Sequence, residues 1–243
     1  MVLQPLTNMS TDSLGDRMKG YEDAYRIKLM NRTPIVIRID GKAFHTFLRN
    51  ADKPFDYTVS QAMWHSTRAV MEQIGGTARL GYTQSDEASI IINNALTLDT
   101  QPWFDNNIQK MVSVASSIFA GHFGFNYPKW VDGNPPAFDA RVFTLPDLNE
   151  VVNYLVWRQQ DATRNSIRMY ASTMFSHKEL HGVNNTQAQE MMFQKAKFNW
   201  NDAITWTKRG TVVTRSKIDL DIPVFTADRG YIEKLYLPEP IPE

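Results

Sequence analysis

The order of apolar patterns between residues 35 and 145 constrains the fold of this chain more than any other feature of its sequence. β-Branched runs predict strands, apolar residues at helical spacing predict amphipathic helices, and two β-prone runs around a polar tip predict a hairpin. The predicted elements are strand 35–39, helix 58–74, strands 77–83 and 88–93, helix 106–120 and strand 137–145. The order β-α-β-β-α-β is typical of a ferredoxin-like split βαβ unit, so we predict an α+β fold with an antiparallel sheet.

The segments that flank this unit are predicted to be mainly helical. Residues 16–31 are polar and helix-prone, and residues 1–12 are expected to form an irregular leader. After the unit, the pattern indicates helix to about residue 198, then a short β-prone stretch at 210–215, and an irregular, proline-containing tail from Ile218.

A soft domain boundary is expected near Pro146. Residues 1–146 would form a core that includes the N-terminal helix, and residues 147–243 would form a mainly helical region. We expect the second region to pack on the first, so that the chain forms one compact unit.

The composition excludes several classes of protein. There are no cysteines, which excludes disulfides, thiolate metal sites and a cysteine nucleophile. Lys+Arg and Asp+Glu both number 26, so any contact with nucleic acid must come from a local basic patch. No apolar run reaches the roughly 18 residues that span a bilayer, and the start lacks a secretory signal, so we expect a cytoplasmic protein without a membrane partner.

Three acidic residues are candidates for catalysis. Asp40 ends the first predicted strand beside Gly41, while Asp86 and Glu87 lie at the tip of the predicted hairpin. Since the first strand and the hairpin are neighbours in a split βαβ sheet, Asp40 and Asp86 could converge. Two carboxylates and a backbone carbonyl suit Mg²⁺, and two ions about 4 Å apart would activate an attacking oxygen and stabilise a leaving one. The alternative is that these are ordinary turn residues.

Other candidates are weaker when each is taken alone. Residues 40–47, DGKAFHTF, could bring backbone amides and His45 to a phosphate, although His45 could equally be a surface residue. Lys53 and Lys110 are candidate triphosphate contacts or simply solvated lysines. His177 and His181 have the i, i+4 spacing of a zinc pair, but a lysine follows the first histidine where a zincin has glutamate, which favours an exposed helix end.

A further candidate surface lies on the helix predicted at 157–168, WRQQDATRNSIR. One face of this helix could contact phosphate, or it could form an intrahelical ladder of salt bridges. Its members are Arg158, Asp161, Arg164, Asn165 and Arg168.

Five motifs in this order resemble the tRNA-histidine guanylyltransferase family. The motifs are DGKAFHTF at 40–47, KPFD at 53–56, GYTQSDEASI at 81–90, FDAR at 138–141 and YLVWRQQD at 154–161. Each motif alone is weak, but five in register over about 120 residues are specific, and the resemblance covers roughly residues 16–215.

The resemblance implies a polymerase-palm-like core and a nucleotidyltransferase that extends RNA in the 3′–5′ direction. ATP or GTP would activate the 5′-monophosphate of a tRNA, and the 3′-OH of an incoming GTP or other nucleotide would then attack the activated phosphate. It also implies that the protein is a homotetramer, built as a dimer of dimers.

Residue roles carry over from the matching motifs. Asp40, the Gly41 carbonyl and Asp86 would ligate two Mg²⁺ ions, and Glu87 would have a supporting catalytic role. Lys53 would line the activation site and Lys110 would contact the triphosphate of the incoming nucleotide. The remaining expected nucleotide contacts are Lys42, Ala43, Phe44, His45 and Ser85; the expected RNA contacts are Arg158, Arg164, Asn165 and Arg168.

Three departures from the family pattern make strict tRNA-His specificity unexpected. Residues 162–166 replace a His-Ile-Asn-Asn stretch of eukaryotic members, and Asn106-Asn107 replaces an arginine pair. Residues 14–19 resemble the bacterial and archaeal "like" branch, which is associated with templated repair of shortened tRNA 5′ ends. The alternatives are a palm-fold nucleotidyl cyclase-like enzyme and a non-catalytic RNA-binding relative.

Overall fold

Six strands form one antiparallel sheet in the order β4-β1-β3-β2-β5-β6. The computed structural model describes residues 13–127 and 134–237, so the leader expected at residues 1–12 lies outside the described residues. The strands are β1 (Pro34–Gly41), β2 (Ala78–Gln84), β3 (Glu87–Asn93), β4 (Phe138–Thr144), β5 (Thr211–Val213) and β6 (Ile218–Asp219). The first four strands have the predicted ferredoxin-like order, so the predicted fold class is confirmed.

Helices cover both faces of this sheet. The α-helices are α1 (Leu14–Asp23), α2 (Phe44–Phe47), α3 (Tyr57–Ile74), α4 (Ile108–Asn126), α5 (Leu148–Met174), α6 (Asn185–Ala196), α7 (Thr205–Arg209) and α8 (Gly230–Tyr236). Single 3₁₀ turns lie at Trp103–Asn106 and Trp200–Asp202. In the described ranges no helix combines the length and apolarity needed to cross a membrane.

β1 is apolar along most of its length because both of its faces are buried. Successive side chains of a strand point to opposite faces. Ile35, Ile37 and Ile39 belong to the core formed with α3 and α4. Val36 belongs to a second core, which contains Leu155 of α5.

Two sequence predictions about the flanking segments are wrong. The helix expected over 16–31 ends at Asp23, because the following segment pairs with the start of α4 through a bridge between Lys28 and Asn107. The tail from Ile218 is not irregular, since it forms β6 and α8. Ile232 of α8 is fully buried, so tertiary packing rather than a strong local pattern stabilises this helix.

The region after residue 146 also contributes to the sheet. β5 pairs with β2, and β6 pairs with β5, so two of the six strands come from the part of the chain predicted to be mainly helical. The division into 1–146 and 147–243 stays a prediction.

Candidate active site

The end of β1 and the turn between β2 and β3 lie side by side at one end of the sheet. Asp40 is the register partner of Glu87, and the Gly41 amide donates a hydrogen bond of 3.1 Å to the Asp86 carbonyl. Asp40 lies on the same face of β1 as Val36, which is the face that α5 covers. The structure therefore brings Asp40, Gly41, Asp86 and Glu87 together, as the sheet topology predicted.

The Asp86 carboxylate is in an unfavourable environment for its charge. Burial raises the pKa of Asp86 above its ordinary value, and the nearby negative charge of Asp40 raises it further. The Ser85 hydroxyl, which donates a 2.9 Å hydrogen bond to Asp86 Oδ1, and the charge of His45 both lower the same pKa. Partly buried carboxylates that repel each other form a site in which a bound cation would relieve the repulsion.

A close packing contact positions the segment after Asp40. A Cβ at Gly41 would lie 2.4 Å from the Phe44 ring, so this ring can occupy its place only because residue 41 is glycine. Phe44 is buried against Phe123 and Phe138, with ring centroids at 5.4 and 4.7 Å. The predicted nucleotide contact at Phe44 is therefore a core side chain, and only its backbone is left for a ligand.

The residues on either side of the buried Phe44 in this segment are exposed. Ala43 has a left-handed backbone, φ 54°, and immediately precedes the single turn of α2. Lys42 and His45 have exposed side chains, and the Lys42 amide donates a 2.9 Å hydrogen bond to the Ala137 carbonyl. His45 Nε2 lies 3.0 Å from Thr46 Oγ1. This segment presents a cation and an imidazole beside the two carboxylates.

Glu87 is held by an ion pair with Arg158 of α5. The guanidinium donates to both carboxylate oxygens, at 2.8 and 3.1 Å, and the two side chains are only 7% and 13% exposed. Burial raises the pKa of Glu87, although the charge of Arg158 opposes that rise. Glu87 thus anchors the hairpin to α5, while Asp86 faces the site.

This ion pair corrects the RNA contact expected for Arg158. Its guanidinium is buried and bonds to Glu87 and to Asp161, at 2.7 Å, so it is not presented to a phosphate. Asp161 also accepts a hydrogen bond of 3.0 Å from Arg164. These three residues form the intrahelical ladder that was the alternative interpretation of this face.

The other expected RNA contacts on α5 have different surroundings. Arg164 and Asn165 are exposed. Arg168 is half-buried and donates from Nη2 to the Val183 carbonyl.

The two candidate lysines lie in different places. Lys53 is exposed, donates a 3.3 Å hydrogen bond to the Leu48 carbonyl, and shares a cavity with Arg168. Lys110 lies in the first turn of α4. Just before this helix, Asn106 accepts a hydrogen bond from Asn94, which follows the last residue of β3, so the start of α4 lies at the far end of that strand. Asp86 immediately precedes the start of β3, and a seven-residue strand is about 23 Å long. Within one chain the structure does not bring Lys110 to Asp86.

The two asparagines that replace the family's arginine pair have structural roles. Asn106 is buried and donates a 2.7 Å hydrogen bond to Asn31 Oδ1. The Asn107 side chain caps α4 by accepting from the Lys110 amide at 2.9 Å. This departure therefore removes two cations and adds two polar packing contacts.

Sequence reasoning did not identify Arg38 as part of the site. Arg38 lies on the same face of β1 as Asp40, opposite Ser89 on β3, and its charge lowers the pKa of Glu87. Its Nε atom is buried and has no hydrogen-bond partner among the described residues. The signal was present in the sequence, since Arg38 is the one charged residue in the run Ile35 to Ile39.

Gln159, in the WRQQD motif, was also not identified. It donates a 2.9 Å hydrogen bond to the Pro223 carbonyl and accepts one of 2.8 Å from the Phe225 amide. The motif thus holds both the hairpin, through Arg158, and the segment before α8.

The arrangement provides carboxylates for a hard cation rather than a covalent nucleophile. Within residues 13–127 and 134–237 no cluster of three or more His, Asp or Glu side chains could hold a metal ion. Mg²⁺ is commonly bound through one or two carboxylates, and it takes its remaining ligands from water and substrate phosphates. The chemistry of the site therefore fits a reaction on a phosphorylated substrate.

Comparisons with known proteins agree with this chemistry. A family model described as tRNAHis guanylyltransferase matches residues 15–146. A bacterial tRNA(His) guanylyltransferase (Thg1)-like protein in complex with ATP has 43% sequence identity and a TM-score of 0.86, and the match covers 92% of this chain and 99% of that one. A bacterial Thg1-like protein in complex with GTP has 39% identity and a TM-score of 0.75, with 93% and 99% covered.

A relative from a eukaryote extends this comparison. The tRNA(His) guanylyltransferase of Schizosaccharomyces pombe is 33% identical over an alignment 219 residues long, and the match covers 83% of this chain and 80% of the relative. The chain therefore belongs to the tRNA(His) guanylyltransferase family of nucleotidyltransferases.

Proposed function

We propose that this protein is a template-directed nucleotidyltransferase that adds GTP or other nucleotides to the 5′ end of tRNA in the 3′–5′ direction. The observation that carries the proposal is the position of Asp40 and Asp86 at one end of the sheet, joined through the Gly41 amide. The bacterial relatives in complex with ATP and GTP support nucleotides as substrates. We also propose that it works in the cytoplasm as a homotetramer.

The proposed metal ligands are Asp40, Asp86 and the Gly41 carbonyl. The raised pKa of Asp86 fits this role, because a divalent cation would favour the charged form that burial and Asp40 disfavour. When bound, two Mg²⁺ ions neutralise phosphate charge and favour in-line attack by an oxygen. Glu87 is tied to Arg158, so it supports the hairpin instead of ligating a metal.

Two transfers at phosphorus account for the reaction without a nucleophilic side chain. An oxygen of the tRNA 5′-monophosphate attacks the α-phosphorus of ATP or GTP, and pyrophosphate leaves. The 3′-OH of the incoming nucleotide then attacks the activated 5′-phosphorus, and AMP or GMP leaves. Lys42, His45, Ser85 and Lys53 would orient and neutralise phosphate oxygens, which is the main contribution a protein makes to such reactions.

We also propose repair of shortened 5′ ends as the biological reaction. In the stretch that departs from the eukaryotic pattern, Ala162 and Ser166 are buried, and Ser166 Oγ accepts a 3.0 Å hydrogen bond from Trp200. Because these side chains serve packing, the stretch offers only Arg164 and Asn165 as exposed polar contacts. This limited surface is a reason to expect broad use of tRNAs.

The metal assignment is tested with isosteric variants. Asp40→Asn and Asp86→Asn should each reduce incorporation of labelled GTP into tRNA at least about 100-fold, because they remove charge that stabilises the transition state. Asp99→Asn is the matched control, since Asp99 is an exposed carboxylate in the loop that follows β3, at the other end of the sheet from the site, and should retain activity. Mg²⁺ should raise the melting temperature of the wild type and the control but not of Asp86→Asn. Near-normal turnover by either site variant would contradict the assignment.

The substrate range is tested with a panel of tRNA transcripts. Transcripts that lack their first nucleotide should be extended opposite the template base, whether or not they are tRNA-His. Activity confined to full-length tRNA-His would contradict the repair proposal and leave guanylylation as the reaction.

A further inference from the structure

The N-terminal helix α1 and the segment that follows it form an apolar surface that no other described part of the chain covers. Every residue from 13 to 28 is exposed, and α1 contains no buried side chain. Exposed apolar side chains are ordinary when they are scattered singly, but a cluster of them marks an interaction surface. Of the fifteen large apolar side chains that are exposed among the described residues, six lie between positions 14 and 30: Leu14, Met18, Tyr21, Tyr25, Ile27 and Met30.

The spacing of four of these residues places them in one apolar stripe. Leu14, Met18 and Tyr21 of α1, and Tyr25 just beyond its end, follow one another at intervals of four, three and four residues. That is the spacing of a seam between two packed helices. A helix of ten residues is marginal in water on its own, so α1 depends on the packing of this stripe against another surface.

An open groove on the outer side of the α3–α4 layer has a lining suited to such a helix. The groove has a volume of about 780 Å³, and it lies between residues 65–73 of α3 and residues 117–126 of α4. Its apolar lining includes Ala69, Ile118 and Phe125, and the last of these is 86% exposed. Amphipathic helices bind in apolar grooves of this kind through residues spaced one turn apart.

The α3–α4 groove is open along its middle and matches α1 in length. A Cβ at Gly121, which lines the groove, would meet no atom within 4 Å. By helical rise, α1 is about 15 Å long, and the part of α4 that lines the groove is about 14 Å long. The groove therefore has room for a helix of the length of α1.

The charges of the α3–α4 groove and of α1 are complementary. Arg68 lines the groove, and its buried Nε atom has no hydrogen-bond partner among the described residues. Glu72 lines the groove one turn further along α3. At 3.6 residues per turn, α1 carries Glu22 on one flank of its apolar stripe and Arg17 on the other. Each flank of the helix therefore has an opposite charge in the groove.

The path of the chain holds α1 at the other end of α4 from the groove. The Leu29 amide donates a 3.0 Å hydrogen bond to the Asn106 carbonyl, and the Ile108 amide donates one of 3.0 Å to the Ile27 carbonyl. The segment after α1 is thus fixed to the start of α4, whereas the groove is lined by the second half of α4. In a twofold dimer with antiparallel α4 helices, the start of one α4 lies beside the end of the other. Each α1 then lies over the groove of the other copy, and both contacts form together.

We propose that the apolar stripe of α1 binds in the α3–α4 groove of a second copy of this chain, and that the two copies form this contact reciprocally about a twofold axis. The inference goes beyond the proposed chemistry and rests on the proposed homotetramer, of which it names one interface. The second copy supplies the apolar surface that a ten-residue helix requires.

A pair of matched charge insertions tests the contribution of α1. Met18→Glu places a carboxylate in the apolar stripe, whereas Lys19→Glu, the control, places one on the side of α1 away from the stripe. Analytical ultracentrifugation at several protein concentrations measures association. Met18→Glu should halve the mass of the wild-type assembly and weaken association about 30-fold or more, while the control should associate as the wild type does. A wild type that is monomeric at every concentration, or equal association of the two variants, would overturn the proposal.

A second pair of variants tests the groove. Gly121→Arg fills the groove with a side chain whose Cβ meets no atom of its own chain, so the fold has no reason to change. Ser172→Arg, on an exposed position of α5 across the sheet, is the control. Gly121→Arg should also halve the mass of the assembly, and the control should not. Circular dichroism and thermal melting establish that each variant is folded. Association of a folded Gly121→Arg at the wild-type level would show that α1 binds elsewhere.

Cross-linking identifies the two surfaces directly, because the chain contains no cysteine. The variant Met18→Cys/Gly121→Cys is treated with a short bifunctional thiol reagent and examined on a denaturing gel. It should form a covalent dimer, whereas each single-cysteine variant should stay a monomer. A cross-link within one chain would place α1 over its own groove, and a dimer of Met18→Cys alone would pair α1 with α1. Either result would overturn the proposal.

The outcomes separate this interface from the proposed chemistry. A dimer cross-linked through the two cysteines, in a protein whose wild type adds no nucleotide to tRNA, would support the interface and contradict the chemistry. Normal nucleotide addition by the wild type, together with no cross-linked dimer of the double-cysteine variant, would support the chemistry and overturn the interface.

Discussion

Asp86 and Glu87 are adjacent in the chain, yet their carboxylates lie in different electrostatic surroundings. Glu87 has a buried guanidinium as its partner, while Asp86 has one hydroxyl and faces the charge of Asp40. A catalytic group commonly stabilises the folded state less than a structural group does, because its favourable interactions are made with the substrate and not within the protein.

This contrast predicts that Asp86→Asn is more stable than the wild type at pH 7 in the absence of metal. Because burial holds the pKa of Asp86 in the folded state above its ordinary value, ionisation of this carboxyl disfavours the folded state. Asp86 contributes fully to the free energy of unfolding at a pH below the ordinary pKa of an aspartate, where the carboxyl is neutral. That contribution is lost as the pH rises through the raised pKa of the folded state. The advantage of the variant should therefore shrink as the pH falls from 7 towards 4. Urea denaturation at several pH values measures this; an advantage that does not change with pH would contradict it.

A second prediction concerns the buried ion pair. Arg158→Leu should reduce the free energy of unfolding by about 3–5 kcal/mol, because the Glu87 carboxylate would stay buried without its partner. Adding Glu87→Leu should restore part of that loss, as the uncompensated charge is then removed. Urea denaturation of the two variants measures the difference. Equal stability of the single and double variants would show that the cost of Arg158→Leu does not come from the unpaired charge of Glu87.

At the scale of the elements, the approach of α3 to β2 depends on Gly81. A Cβ at this residue would lie 2.4 Å from the Thr67 Cγ2 atom of α3. Gly81→Ala should therefore cost about 1–3 kcal/mol in the free energy of unfolding, the usual effect of overpacking. Thr67→Ser removes the opposing methyl group and keeps the hydroxyl that bonds the Met63 carbonyl at 2.8 Å, so it should rescue Gly81→Ala. Thermal melting of both variants and the double variant tests this; absence of rescue would place the strain elsewhere.

The elements also show what the sequence can predict. The positions of β1 and α3 follow from local apolar patterns, and both agree with the structure. The stretch at 210–215 is β-prone by composition, but its pairing with β2 depends on a distant part of the chain and leaves no local pattern. Helical spacing groups Arg158 with Arg164 on one face, but it does not tell which end of that face the sheet buries. The convergence of Asp40 and Asp86 was predictable because the split βαβ topology makes their strands neighbours.

At the scale of the whole molecule, the face of the sheet under α5 joins both halves of the sequence. Its core contains Val36, Leu80 and Ile91 from the strands, and Leu155 and Ile232 from the helices that follow residue 146. A chain that ended at residue 146 would expose this face and leave one edge of β2 without its partner β5.

A fragment of residues 1–146 should therefore fail to form the native sheet. We expect it to bind the dye ANS, to aggregate, and to unfold without a cooperative transition, whereas the full chain should not bind the dye. Dye fluorescence and circular dichroism during heating measure these properties. A fragment that melts cooperatively and does not bind the dye would instead be an independent domain, and would contradict the expectation of one compact unit.

The continuity of α5 over its 27 residues has a geometric consequence. Arg158 fixes the helix to the hairpin beside Asp86, and from Arg158 to Met174 the helix rises about 24 Å without a break. Because an unbroken helix has a fixed length, α5 fixes the distance between the hairpin and the turn that carries His177. Deleting one residue within that span would shorten the helix by about 1.5 Å and rotate everything beyond the deletion by about 100°. A deletion in the following turn would leave the length and the rotation of the helix unchanged.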